Sequence, residues 1–239
     1  MIKPFQNPVF AALDVATLSE AQALARSLKA HCGGLKLGLE FFSAEGADGL
    51  RAMVDEGLPV FADLKFHDIP NTVAGAVRAI SRIGVTIVNV HAAGGVAMME
   101  AARKAAEDAA GPSRPLVIGV TVLTSLDEDD LRSVGVNSPV RDQVLRLAGL
   151  AQRAGLDGVV CSPHEITALR QAMGPSFKLI VPGLRPQGAD VSDQKRVMTP
   201  EDAYRLGADV LVIGRPITAA ADPARAAAQI AQSLASLAA

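Results

Sequence analysis

Two oppositely charged residues interrupt an apolar stretch of the chain. Asp63 and Lys65 lie two positions apart within Pro59–Lys65, so an extended backbone points both side chains to the same face. Charges on a buried face are costly unless they are paired. Asp14 and Lys36 lie in two earlier apolar runs and could complete an alternating array of carboxylate and ammonium groups. Such an array could stabilise the charge that develops in a reaction, or it could be a structural ion-pair network.

The same residue types could also hold a metal ion through oxygen ligands. Lys36 argues against a metal, because an ammonium group has no lone pair and repels a cation. Cysteine nucleophiles are not favoured either, since Cys32 and Cys161 form no Cys-x-x-Cys pair and are expected to pack in the interior. We therefore predict that the protein uses no metal ion.

The last part of the chain contains a candidate phosphate site. Gly214 and Arg215 follow one apolar run, and Arg185 follows another within Pro-Gly-Leu-Arg-Pro. Glycine lets backbone amides approach an oxyanion, and arginine donates bidentate hydrogen bonds. Either arginine alone could be a solvated surface charge, but their joint placement favours phosphate binding. His91, at the end of a further run, could contact a substrate or be structural.

Eight short apolar runs alternate with segments of helical periodicity, and these elements must position the charged residues. The runs are continuous rather than alternating, as expected for parallel strands covered by helices. An open doubly wound sheet is the alternative, but no Gly-x-Gly-x-x-Gly follows the first run. We predict a (β/α)8 barrel, with residues 1–239 as a single domain and function at the carboxyl ends of the strands. The predicted strands are Val9–Asp14, Gly34–Gly38, Pro59–Lys65, Val85–His91, Leu116–Leu123, Gly158–Ser162, Lys178–Pro182 and Val210–Gly214.

The segments between these runs predict eight helices and two irregular stretches. An acidic patch at Asp127–Asp130 predicts a short extra helix after the fifth strand. Gly183–Thr199 is long, polar and poor in helical pattern, which is typical of a lid or binding loop. The predicted helices are Thr17–Ala30, Ser43–Glu56, Thr72–Ile83, Val96–Ala109, Val140–Ala154, Glu165–Met173, Pro200–Leu206 and Pro223–Leu237.

Composition narrows the classes of function. The net charge of −2 and the absence of basic runs argue against a nucleic-acid partner. No uncharged apolar run is long enough to span a bilayer, and the first residues lack the apolar core of a signal peptide. With two cysteines and no disulfide framework, a reducing compartment is expected. We predict a soluble cytoplasmic protein with no membrane partner.

The segment Asp63-Leu-Lys65-Phe-His-Asp68-Ile-Pro-Asn-Thr72 resembles the signature of the orotidine 5′-phosphate decarboxylase family in its bacterial form. That signature is Asp-x-Lys-x-x-Asp followed by Ile or Val, Gly or Pro, any residue and Thr, and every fixed position is met. Further landmarks follow in the family's order over essentially the whole chain, including Lys36-Leu-Gly and Val-Leu-Thr124-Ser. The resemblance implies cofactor-free decarboxylation of orotidine 5′-phosphate to uridine 5′-phosphate in pyrimidine biosynthesis.

The resemblance also implies roles for individual residues. Lys65 would protonate C6 of the pyrimidine, and Asp63 would lie beside the departing carboxylate. In the family, the residues that match Asp68 and Thr72 reach the neighbouring subunit's active site, which implies a homodimer with shared sites. The other implied roles are Lys36 and Asp68 in the charged network, Asp14 and Lys36 near the ribose, Thr124 at the pyrimidine, Gln194 in the lid, and Arg185, Gly214 and Arg215 at the phosphate.

Two rival functions fit parts of this pattern. Metal-dependent relatives that act on sugar phosphates share Asp-x-Lys-x-x-Asp, but they typically carry an acidic ligand where this chain has Lys36. A phosphate-binding barrel without catalytic activity is the second rival, and it leaves the complete charged set unexplained. Both considerations favour the nucleotide decarboxylase.

Overall fold

The apolar runs form eight parallel strands that close into a barrel. The computed structural model describes residues 5–186 and 198–237. Strand order follows the sequence and β1 pairs with β8, so the predicted (β/α)8 barrel is confirmed. Most strands end one to three residues earlier than predicted, because the last residues at the barrel mouth no longer pair with a neighbouring strand. The strands are β1 (Val9–Leu13), β2 (Gly34–Leu37), β3 (Val60–Phe66), β4 (Ile87–His91), β5 (Leu116–Val120), β6 (Gly158–Val160), β7 (Lys178–Val181) and β8 (Val210–Ile213).

Helices follow the strands and cover the outside of the barrel. The extra helix predicted after β5 is present, whereas a four-residue helix that begins at Arg215 was not predicted, since it is too short to show a periodic pattern. No helix among the described residues is long and apolar enough to cross a membrane. The helices are α1 (Leu18–Leu28), α2 (Leu39–Asp55), α3 (Pro70–Ser81), α4 (Val96–Ala110), α5 (Glu128–Ser133), α6 (Val140–Arg153), α7 (Ile166–Met173), α8 (Pro200–Leu206), α9 (Arg215–Thr218) and α10 (Pro223–Ala235).

Polar side chains define where several helices begin. Thr17 accepts a hydrogen bond from the backbone N–H of Glu20 and so caps α1. Asp222 caps α10 in the same way, directly before a proline at the first helical position. The second helix differs from the prediction, because it begins at Leu39 and breaks at Gly46, where φ is 63°.

The core has two layers separated by the barrel wall. Inside the barrel, inward-facing residues from most of the strands pack against one another, among them Phe10, Phe61 and Ile87. The intervening residues, including Ala62 and Leu64, pack between the wall and the helices. Asp63 and Lys65 therefore lie on strand positions that alternate with residues of the outer layer, as the sequence pattern predicts.

Two carboxylates, one fully buried and one half-buried, tie neighbouring strands together at the end of the barrel opposite the mouth. Asp209, which is fully buried, accepts a hydrogen bond from the backbone N–H of Leu179 at 2.9 Å and pairs with Arg170. Asp157 accepts one from the backbone N–H of Val117 at 2.8 Å. Because breaking a buried pair leaves an uncompensated charge, these contacts hold the strands firmly below the mouth.

Candidate active site

Four charged side chains meet where β1, β2 and β3 reach the mouth of the barrel. Lys36 Nζ lies 3.3 Å from Asp14 Oδ1 and 3.4 Å from Asp63 Oδ2. Lys65 Nζ lies 2.7 Å from Asp63 Oδ1. The resulting order is carboxylate, ammonium, carboxylate, ammonium, the alternation that the sequence predicts. We call Asp14, Lys36, Asp63 and Lys65 the charged array.

Asp63 lies at the centre of the charged array and is its most constrained carboxylate. Its side chain is only 13% exposed, and burial by itself raises the pKa of a carboxyl group. The positive charges of Lys36 and Lys65, with hydrogen bonds from Lys65 and Asn89, outweigh burial and hold the pKa of Asp63 below its usual range. Asp63 is therefore ionised at neutral pH, and its negative charge is fixed in place.

Lys65 has an unusual backbone conformation. Its φ is 52°, and among the described residues it is the one position other than glycine with a positive φ. Such a conformation costs about 1–3 kcal/mol and persists only where the surroundings enforce it, which is common at functional sites. The strain falls on the residue whose ammonium group ends the charged array.

Asn89 joins this site although the sequence analysis did not identify it. Its side chain is fully buried on β4, donates to Asp63 Oδ1 at 2.7 Å and accepts from the backbone N–H of Lys65 at 2.7 Å. The available signal was a polar residue within the apolar run Ile87–His91. Burial of an unpaired amide is unfavourable, so that residue should have predicted a polar partner inside the barrel.

A cavity of about 190 Å³ opens next to the charged array. Lys36, Asp63 and Lys65 line one side, and Thr124, half-buried after β5, lines another. Apolar side chains form most of the remaining wall, which suits a flat ring: Phe61, Val120, Val122, Leu123, Val160, Cys161, Ile180, Pro182 and Val212.

Two arginines lie beyond β7 and β8, as predicted. Arg185 is half-buried, and burial together with the charge of Arg215 lowers its pKa from the usual value. The two guanidinium groups are thus close enough to interact, which is unfavourable unless an anion lies between them. Gly214, directly before Arg215, lies beside the charged array, since a Cβ at this position would lie 3.8 Å from Asp14 Oδ2.

The predicted lid lies only partly within the described residues. A parallel bridge joins Leu184 to Met198, and the N–H of Arg185 donates to the carbonyl of Met198 at 3.0 Å. The two ends of the segment therefore meet beside Arg185. Gln194, the predicted lid residue, lies outside the described residues.

Asp68 and Thr72 do not join the charged array within one chain. Both are exposed: Asp68 lies two residues before α3, and Thr72 lies in its first turn. Asp68 accepts a hydrogen bond from the backbone N–H of Ile69 at 2.6 Å. Their side chains are accessible at the barrel mouth to another molecule.

His91, whose role the sequence left open, ends β4 next to this site. The centroid of its ring lies 5.4 Å from the centroid of the His67 ring. Burial, followed by the charges of His67 and Lys65, lowers the pKa of His91. It is therefore neutral at physiological pH. Among the described residues, no group of three or more His, Cys, Asp or Glu is arranged to hold a metal ion.

Comparison with known proteins matches almost the whole length of this chain to one family. The model of the "Orotidine 5'-phosphate decarboxylase / HUMPS family" matches residues 7–230. The orotidine 5′-phosphate decarboxylase of Paramagnetospirillum magneticum is 54% identical over 227 residues, which cover 94% of this chain and 97% of that protein. That of Rhodospirillum rubrum is 55% identical over 235 residues, covering 97% of this chain and 95% of the relative.

A solved structure agrees with these sequence matches. The crystal structure of orotidine 5′-phosphate decarboxylase from Lactobacillus acidophilus superimposes with a TM-score of 0.86 at 36% identity, covering 96% of this chain and 99% of that one. Both the family model and the relatives thus extend across the barrel and its mouth. The chain belongs to the orotidine 5′-phosphate decarboxylase / HUMPS family.

Proposed function

We propose that this protein, acting as one barrel domain over residues 1–239, decarboxylates orotidine 5′-phosphate to uridine 5′-phosphate in pyrimidine biosynthesis in the cytoplasm. The observation that carries the proposal is the charged array, in which Lys36 bridges Asp14 and Asp63 while Lys65 contacts Asp63. Relatives that are 54% and 55% identical carry the name of this enzyme. An apolar cavity beside the charged array offers room for the pyrimidine.

The proposed reaction needs no cofactor. The bond between C6 of the pyrimidine and the carboxylate carbon breaks, carbon dioxide leaves, and the electron pair remains on C6. The ammonium group of Lys65 then donates a proton to C6 and recovers one from solvent, which is general acid chemistry. Preorganised ammonium groups stabilise the developing negative charge without rearranging during the reaction.

Asp63 acts in the proposal as a fixed negative charge beside the substrate carboxylate. Its lowered pKa keeps it ionised, so it repels the carboxylate more strongly than the delocalised transition state. Its contacts with Lys36 and Lys65 also hold both ammonium groups in position. Asp14 and Lys36 face the ribose hydroxyls, and Thr124, which lines the cavity, contacts the pyrimidine.

The phosphate group lies away from the reacting carbon in the proposed complex. Arg185 and Arg215 hold it after β7 and β8, and the backbone at Gly214 approaches its oxygens. The family resemblance adds Gln194 to the proposed phosphate contacts. Binding energy from this remote group can be used to close the lid and favour the transition state.

Lys36 distinguishes this proposal from the metal-dependent members of the same family. Its ammonium nitrogen lies 3.3 Å from Asp14 and 3.4 Å from Asp63, between the two carboxylates that would otherwise attract a cation. An ammonium at this position offsets part of the negative charge of the two carboxylates and supplies no lone pair. The residues present therefore fit a reaction driven by protein charges.

The proposed enzyme is a homodimer in which each subunit completes the other's site. Asp68 and Thr72 are exposed at the mouth, where they can enter a neighbouring site. Large apolar side chains are exposed on the same face: Leu39, two residues after β2, at 55% exposure, and Ile69, three residues after β3, at 67%. Apolar groups of this size are favoured where a partner covers them.

Replacing the proton donor tests the proposed chemistry. Lys65→Ala should reduce turnover of orotidine 5′-phosphate, followed by absorbance, by about 100- to 10,000-fold, the usual contribution of a general acid. Binding of uridine 5′-phosphate should be largely retained, because the phosphate contacts are intact. Lys104→Ala, which removes an exposed lysine of α4, serves as the control. Wild-type turnover in Lys65→Ala would refute the proposed mechanism.

Removing one guanidinium group tests the phosphate site. Arg215→Ala should weaken uridine 5′-phosphate binding by about 10- to 100-fold, since a hydrogen bond to a charged group is worth about 1.5–3 kcal/mol. Calorimetric titration should show that affinity for uridine, which lacks the phosphate, is unchanged. Arg225→Ala, on α10, provides an exposed arginine control. Equal affinities of Arg215→Ala and wild type for the nucleotide would exclude Arg215 as a phosphate ligand.

Mixing two inactive variants tests the shared sites. In a dimer of Lys65→Ala with Asp68→Ala, one site carries both substitutions and the other carries neither. Random reassociation makes half the dimers mixed, so activity should return to about a quarter of the wild-type value. The same variants mixed without subunit exchange are the control. Mass spectrometry should confirm that the mixtures contain mixed dimers. If they do and activity does not recover, Asp68 lies outside the partner's site.

A further inference from the structure

Asn89 is a polar side chain in the interior of the barrel. Its neighbours along β4 show which way it points, since Ile87 belongs to the interior cluster while Val88 and Val90 pack in the outer layer. Asn89 therefore faces inward, level with the charged array, and is fully buried. A buried amide is unfavourable unless both its ends are hydrogen-bonded.

The pairing of β3 with β4 is irregular opposite this residue. Ala62 pairs with Val88 and Phe66 pairs with Val90, so three residues of β3 lie opposite Asn89 alone. These three residues, 63–65, include both central members of the charged array. Such a bulge re-aims side chains and leaves backbone groups without ladder partners, a common feature beside active sites.

The two ends of the Asn89 amide satisfy groups of this bulge. Its oxygen accepts from the backbone N–H of Lys65 at 2.7 Å, and its nitrogen donates to Asp63 Oδ1 at 2.7 Å. One short side chain thus contacts the backbone of the residue with positive φ and the carboxylate that holds the Lys65 ammonium. An aspartate would add a like charge beside Asp63, and leucine would offer neither contact.

We infer that Asn89 is a positioning residue for the proposed decarboxylation, holding the Lys65 backbone in its left-handed conformation and fixing the orientation of the Asp63 carboxylate. It acts through these two residues and does not contact the reacting atoms. The inference rests on the proposed function. It also explains why the strained backbone at Lys65 persists in the folded protein.

The test compares Asn89 with its neighbour on the opposite face of the same strand. Asn89→Ala should lower kcat for orotidine 5′-phosphate by about 100-fold, because small misplacements of a catalytic group are costly, while KM stays within about threefold. Val88→Ala removes a fully buried side chain of the outer layer and should leave kcat within about threefold at a comparable loss of stability. Asn89→Leu, which keeps the branched shape of the side chain but removes its polar atoms, should reproduce the loss of kcat and replaces Asn89→Ala if that variant does not fold.

A crystal structure of the Asn89 variant provides a second readout that is independent of substrate identity. We expect the backbone of Lys65 to leave the positive-φ region and its Nζ to separate from Asp63. An Asn89 variant with unchanged Lys65 geometry and wild-type kcat would overturn the inference. So would equal losses of kcat in Asn89 and Val88 variants that have lost the same stability. A wild-type protein without decarboxylase activity contradicts the proposed function alone, and the Lys65 geometry then decides the role of Asn89.

Discussion

A carboxylate that is almost wholly enclosed by protein must remain ionised at the mouth of this barrel. Burial opposes the charge of Asp63, and two ammonium groups with one amide offset that opposition. Each partner is held in turn by another contact: Lys36 by Asp14, and the Lys65 backbone by Asn89. Removing one of them leaves a buried charge incompletely paired, so the site behaves as a unit.

The barrel is what makes this arrangement possible. Strands β1 to β4 are hydrogen-bonded neighbours, so residues at or near their carboxyl ends can meet at the mouth without a long loop. Apolar side chains fill the interior below, and buried carboxylates such as Asp209 fasten the opposite end. The rigid wall supports one local irregularity, the bulge at 63–65, and that irregularity carries the charges proposed to act on the substrate.

The fold and the charged array could be predicted from sequence because both follow from short-range rules. Continuous apolar runs predict parallel strands, and a spacing of two residues predicts that Asp63 and Lys65 share a face. The polar side chain of Asn89 within an apolar run indicated a buried polar contact, but its partners could not be identified, because they come from another strand whose register is shifted by a bulge. Helix α9 escaped prediction because four residues are too few to show helical periodicity. The expected exposure of Asp68 to a partner depends on a second chain, which a single sequence cannot position.

The central claim is that protein charges, without a metal ion, drive the decarboxylation. Its most direct test is the turnover of orotidine 5′-phosphate by the wild-type protein after exhaustive treatment with EDTA, followed by the loss of substrate absorbance. Because Lys36 occupies the space between Asp14 and Asp63, we expect full activity after chelation and no increase on addition of Mg²⁺. Activity that disappears on chelation and returns with Mg²⁺ would contradict the claim.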